Sequence, residues 1–119
     1  MKKTAVILAL IMMSMISSTV SAEKQWIGTI QDTDFYVKID TYQHDQYWET
    51  IYVEGIHNHR VFRSIKYIFY QTKDGMYWIG EERKKYFAQG LVREHDFVKK
   101  IFTIMRSHHP YPFSGNDTL

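Results

Sequence analysis

The chain has 119 residues, a formal net charge of +2, 45% hydrophobic residues and no cysteine. The missing cysteine excludes disulfides, thiolate metal sites, a cysteine nucleophile and a lipidated cysteine anchor, and the length suits one small domain. Stability must come from burial, which 3 Trp, 9 Tyr and 7 Phe can supply, since each large ring buries roughly 150–250 Å².

Lys2 and Lys3 precede an apolar run from Ala5 to Ile16, and Val20-Ser21-Ala22 places small residues at a cleavage site. Residues 1–22 therefore read as a signal peptide cut after Ala22. A membrane span would need about 20 uninterrupted apolar residues, and Ser17, Ser18 and Thr19 break this run. The cut leaves one domain, 23–119. It also discards Lys2 and Lys3 while keeping all 13 acids, so the remaining chain is formally neutral. That balance gives no ground for a nucleic-acid or anionic-membrane partner. The expected product is exported, whether periplasmic, attached to the cell surface or secreted, with no membrane anchor after cleavage.

Beyond the cut, Trp26 to Ile30 reads as a first strand and Asp32-Thr33-Asp34 as a turn. Phe35 to Asp40 alternates, with Phe35, Val37 and Ile39 on one face. Thr41 to Gln46 is polar and loop-like. Tyr47 to Glu54 alternates again, Tyr47, Glu49, Ile51 and Val53 opposing Trp48, Thr50 and Tyr52, and Gly55 closes the strand. Ile56 to Arg60 is a turn. The long strand Val61 to Gln71 is apolar on both faces, Val61, Ile65, Tyr67 and Phe69 against Phe62, Ile68 and Tyr70, which predicts cover on both sides. Asp74-Gly75 is expected to form the two central residues of a type I′ hairpin turn, leading into Met76 to Ile79. Gly80-Glu81-Glu82 reads as a bulge or second turn before an extended Arg83 to Ala88.

Short connections between six strands favour an antiparallel sheet. Phe97, Val98, Ile101, Phe102 and Met105 then fall at helical spacing, with Asp96 placed to cap. The fold expected is mainly β (α+β), a small antiparallel sheet of about six strands with a short C-terminal helix. The tail from about Ser107 holds both prolines and is expected to be irregular or frayed.

No residue constellation fixes a reaction, so the chain reads as a binding protein rather than an enzyme, and no cofactor is expected. His57 and His59 are two apart and would share a strand face, with His108-His109 able to close over them; that makes them weak metal candidates, and a polar turn is the simpler reading. Asp32/Asp34 and Glu81/Glu82 pair carboxylates, but in turns where solvated acids are ordinary. Arg83, Lys84, Lys85 and Tyr86 form the best candidate binding cluster, either a solvated strand face or a site for an anionic polymer. The three tryptophans serve the core or line a sugar or peptide surface. A protein partner, or a second copy added at a strand edge, is the expected use, and exposed strand edges rich in aromatics would favour it. A deep pocket with convergent polar groups would instead mean a periplasmic small-ligand or metal-binding protein, or an inhibitor of an exported enzyme.

Trp26-Ile27-Gly28, the run from Phe35 to Thr41, the strand Val61 to Gln71 and the strand pair Met76 to Ala88 ending in Gln89-Gly90 together resemble the surface-adhesin E-like family of small exported bacterial proteins. The resemblance implies an antiparallel sheet with a C-terminal helix. It also implies attachment to host extracellular-matrix proteins.

Overall fold

The computed structural model describes residues 23–115 and 117–119; the expected signal peptide and its cut after Ala22 lie outside the described residues. Six strands follow one another: β1 (Lys24–Ile30), β2 (Thr33–His44), β3 (Glu49–His57), β4 (Arg60–Thr72), β5 (Gly75–Glu82) and β6 (Lys85–Leu91). A 3₁₀ turn (Val92–Glu94) then leads into helix α1 (Asp96–His108). Each strand pairs antiparallel with the next, in the order β1-β2-β3-β4-β5-β6.

Alternation decides which face is buried. Phe35, Val37, Ile39, Ile51, Val53, Ile65, Tyr67, Phe69, Met76 and Trp78 all point to one side, where Val98, Ile101, Phe102 and Met105 of α1 meet them. Two edge-to-face ring pairs join the layers, Phe35 with Phe97 at 5.3 Å and Phe69 with Phe102 at 5.4 Å. Asp96 is the first helical residue rather than the cap, which is His95, without a side-chain bond. Its carboxylate still sits where the helix dipole favours negative charge.

The expected cover on both faces of β4 is not found. One helix makes one layer, and among the described residues no second layer covers the other side. Ile68 is buried there by its neighbours, while Val61 and Phe62 are exposed.

Two strands outrun their apparent ends because bulges absorb the irregular residues. β2 continues through Thr41–His44, which read as loop, with a register shift between Lys38 and Gln43 against β3. There the Thr41 hydroxyl donates to the Lys38 carbonyl at 2.6 Å and accepts the Tyr52 N–H at 2.9 Å, supplying bonds the ladder gives up. β3 likewise passes through Gly55 to His57. A Cβ at Gly55 would come within 2.9 Å of Thr33 Cγ2 and 3.0 Å of the Phe35 ring, so this glycine marks close packing, not a strand end.

The turns also differ from expectation. Thr72 pairs with Gly75 across Lys73-Asp74, so the β4–β5 turn centres one residue earlier than Asp74-Gly75. Only Gly75 takes positive φ there, at 128°. The positive-φ pairs that define type I′ turns lie at the other end of the sheet: Gln31-Asp32 (49°, 62°), Asn58-His59 (51°, 62°) and Arg83-Lys84 (54°, 64°). Asp32-Thr33-Asp34 is therefore only partly turn, since β2 starts at Thr33. The bulge at Gly80/Glu81 is present, but Arg83 begins a turn rather than a strand.

The tail is held rather than frayed. Arg106 Nη1 and Nη2 each lie 2.8 Å from a different oxygen of Glu49, and the Tyr42 hydroxyl donates to the same carboxylate at 2.7 Å. Asp117 Oδ2 sits 2.6 Å from Arg106 Nε as an ion pair, without the alignment of a good hydrogen bond. Thr118 and the Gln71 side chain exchange two further bonds, at 3.1 and 3.2 Å.

Candidate binding surface at the three-turn end

In a meander the β1–β2, β3–β4 and β5–β6 connections share one end of the sheet. Registers Ile30↔Thr33, His57↔Arg60 and Glu82↔Lys85 leave two residues in each loop, and the right-handed strand twist then demands the I′ conformation. No residue of α1 lines the two openings at this end. A groove of about 700 Å³ opens there, lined by Phe62, Arg63, Glu82, Arg83, Lys85 and Phe87, and a smaller cleft beside it shares Phe62 and Arg63 with Ile30 and His57.

The groove has an ordered floor. Arg63 grips Glu82 through Nε to Oε2 at 3.0 Å and Nη2 to Oε1 at 2.8 Å, a bidentate pairing. Those bonds hold the Glu82 carboxyl below its usual range. The guanidinium also lies 5.7 Å from the Phe87 ring centre, and Phe87 packs over Gly80, where a Cβ would approach its ring to 2.8 Å. Phe62 is the extra residue of a bulge, since Gly55 faces Arg63 and Ile56 faces Val61. Phe62, at 62% of full exposure, and Phe87 leave apolar surface open in the groove, and Tyr86 at 70%, Val61 and Ile30 are also exposed at this end of the sheet.

Of the cluster expected to bind, Arg83 and Lys85 line the groove, Lys84 stands at the turn with Arg83, and Tyr86 is exposed on the first residues of β6 without lining it. The reading of this run as a strand face is corrected at Arg83 and Lys84, which form a hairpin turn, and holds for Lys85 and Tyr86, which open β6. Phe62, Arg63 and Phe87 were missed as a group because they come from two strands, and only the sheet's order brings them together.

The histidines do not converge. His57 ends β3 and His59 lies in the turn, so they share no strand face. His57 Nδ1 is 3.0 Å from the Asp32 carbonyl. His109 stacks on Tyr42 at 4.0 Å with its Nε2 3.1 Å from the Ile39 carbonyl. Among the described residues no three His, Cys, Asp or Glu side chains gather as a metal site would require. The paired acids separate too: Glu82 is committed to Arg63, and Asp34 accepts the Thr29 hydroxyl.

Left-handed backbone costs a non-glycine residue roughly 1–2 kcal/mol. Replacing Arg83 by Asn and Lys84 by Gly, the residues a type I′ turn prefers, is therefore expected to stabilise the domain by about 1 kcal/mol. In a domain of this size that raises Tm by about 4–8 °C, and thermal unfolding followed by circular dichroism checks it; an unchanged or lowered Tm would show that the two side chains make contacts worth more than the turn geometry.

Fold and surface together define a class: a one-layer antiparallel meander backed by a single helix, with an apolar, basic-rimmed end left open. A search of known families, curated proteins and solved structures finds no match for this chain.

Proposed function

We propose that this chain is an exported binding protein of the surface-adhesin E-like type that attaches to a protein partner, such as a host extracellular-matrix protein, through the three-turn end of its sheet. The observation that carries the reading is the groove lined by Phe62 and Phe87 and rimmed by Arg83 and Lys85. Exposed aromatic side chains beside charged rims are where protein interfaces concentrate their energy. Turn residues that keep long side chains against the preference of the backbone fit positions held for contact. With acids and bases in balance after the expected cut, affinity comes from aromatic and backbone contacts more than from long-range steering.

Surface plasmon resonance of the purified protein against a panel of extracellular-matrix proteins tests this. Phe62→Ala is expected to weaken capture by about tenfold, or about 1.4 kcal/mol, with an unchanged Tm because the ring is exposed. Binding is expected to persist at about 0.5 M salt, where the screening length is only a few ångströms. Capture that vanishes in salt and on replacing Arg83, Lys84 and Lys85 would instead mean recognition of an anionic polymer. Export is tested separately: a protein in the envelope fraction that still begins at Met1 would remove that part of the proposal.

A further inference from the structure

The opposite end of the sheet carries a second concavity whose chemistry differs from the groove. Its volume is about 870 Å³, within the range of roughly 300–1,000 Å³ typical of small-molecule sites. One wall comes from the β2–β3 connection, Gln46 to Trp48, and the end of β4, Tyr70 and Gln71; the other is the tail from Tyr111 to Ser114. Among the described residues, five aromatic rings line it and no charged residue does.

Both walls are fixed before any ligand arrives. Asp45 Oδ1 accepts the N–H groups of Tyr47 and Trp48, each at 3.1 Å, and the Asp45 N–H closes the loop on the Trp48 carbonyl at 3.0 Å. The tail wall is tied by Asp117 to Arg106 and by Thr118 to Gln71, and Arg106 packs 5.1 Å from the Tyr111 ring centre. Rings continue outward from the cleft along the uncovered face: Trp48 to Tyr70 at 5.2 Å, Tyr70 to Tyr77 at 5.3 Å. Among the described residues, the Gln46 amide and the hydroxyls of Tyr47, Tyr70, Tyr111 and Ser114 have no internal hydrogen-bond partner, while Gln71 is engaged with Thr72 and Thr118.

We infer that this cleft is a binding site for a neutral saccharide. A sugar ring presents C–H faces that stack on aromatic rings, whose faces carry negative charge density, and an equatorial belt of hydroxyls that both donate and accept. Neutral amide and phenol groups satisfy those hydroxyls without bringing a charge out of water. The rings at successive spacings of 5.2 and 5.3 Å offer a track along which more than one sugar unit can lie. A phosphorylated or carboxylated ligand finds no cation among the lining side chains. The Tyr70 and Tyr111 hydroxyls are protonated donors at neutral pH, since a phenol ordinarily titrates at about 10, and burial raises both further.

The test is isothermal titration of the purified protein with maltohexaose, cellohexaose and chitohexaose, alongside a sulfated oligosaccharide and a proline-rich peptide. Saturable binding of at least one neutral hexasaccharide is expected, little changed between about 0.05 and 0.5 M salt. Trp48→Ala should weaken it by about tenfold or more, and Trp26→Ala, on β1 away from the cleft, should not. Should Trp48→Ala fail to fold, Tyr47→Ala, at a ring still more exposed, carries the same expectation. No saturable binding of the three neutral probes up to about 10 mM, a weak limit on the affinity scale, would overturn the inference. So would binding that survives both the Trp48 and Tyr47 variants, or a preference for the sulfated probe or the peptide.

Discussion

Replacing Arg106 by methionine is expected to destabilise the domain by about 3–5 kcal/mol, because it leaves a buried carboxylate without its partner. Glu49 is 1% exposed and begins β3 on the inward face, in line with Ile51 and Val53. Its two oxygens accept both terminal nitrogens of Arg106 at 2.8 Å, and the guanidinium lies 5.1 Å from the centres of the Phe102 and Tyr111 rings. Burial works against the charge of Arg106, yet the bonds to Glu49 and Asp117 outweigh it and hold its pKa above the ordinary value. Burial, and then the bond to Glu49, likewise push the Tyr42 hydroxyl up. Urea denaturation with linear extrapolation gives the measurement. The double variant Glu49→Leu, Arg106→Met should recover most of the loss, since a well-packed apolar pair of similar volume is often as stable as the ion pair it replaces. A single variant costing under about 1 kcal/mol, the value of an exposed pair, would show that water reaches the carboxylate.

Phe69→Ala is expected to cost about 3–5 kcal/mol, the transfer energy of the ring plus the cavity it leaves. Phe69 is fully buried in the second half of β4, edge-on to Phe102 of the helix and 6.4 Å from the Tyr67 ring centre. The loss therefore falls on the contact between the two layers. Phe62 on the same strand is the control: exposed, it should change stability by no more than about 0.5 kcal/mol on replacement by alanine. Equal effects at the two positions, read from the same denaturation curves, would contradict the assignment of the buried face.

The strands were legible because Phe35-Val37-Ile39 and Ile65-Tyr67-Phe69 alternate without interruption, and the helix because Val98, Ile101, Phe102 and Met105 keep its spacing. Thr41 and Gly55 misled because a polar or small residue reads as a strand end, whereas here each serves a bulge or a close approach. The I′ turn at Gln31-Asp32 was legible only as a turn displaced onto Asp32-Thr33-Asp34, and the one at Arg83-Lys84 gave no signal. Register imposed their backbone against the residues' own preference, so the run Arg83-Lys84-Lys85 looked like strand. Glu49 left a faint trace, a carboxylate in step with an apolar face, but its partner lies 57 positions away and periodicity does not report such distances. The aromatic cleft was hidden for a related reason: Trp48 and Tyr70 meet where β3 and β4 pair, and Phe113 joins them only because the tail folds back.

The meander order has a bearing on how the chain is made. Each strand finds its partner in the segment just synthesised, so hairpins can zip as they emerge. The apolar face they build has no cover until α1 follows, and the latch between Arg106 and Glu49 comes later still. A nascent chain at that stage is an open, sticky sheet with both edge strands free, the form most prone to aggregate. Whatever handles this protein during synthesis must shield Ile51, Val53, Tyr67 and Phe69 until its last quarter has been made.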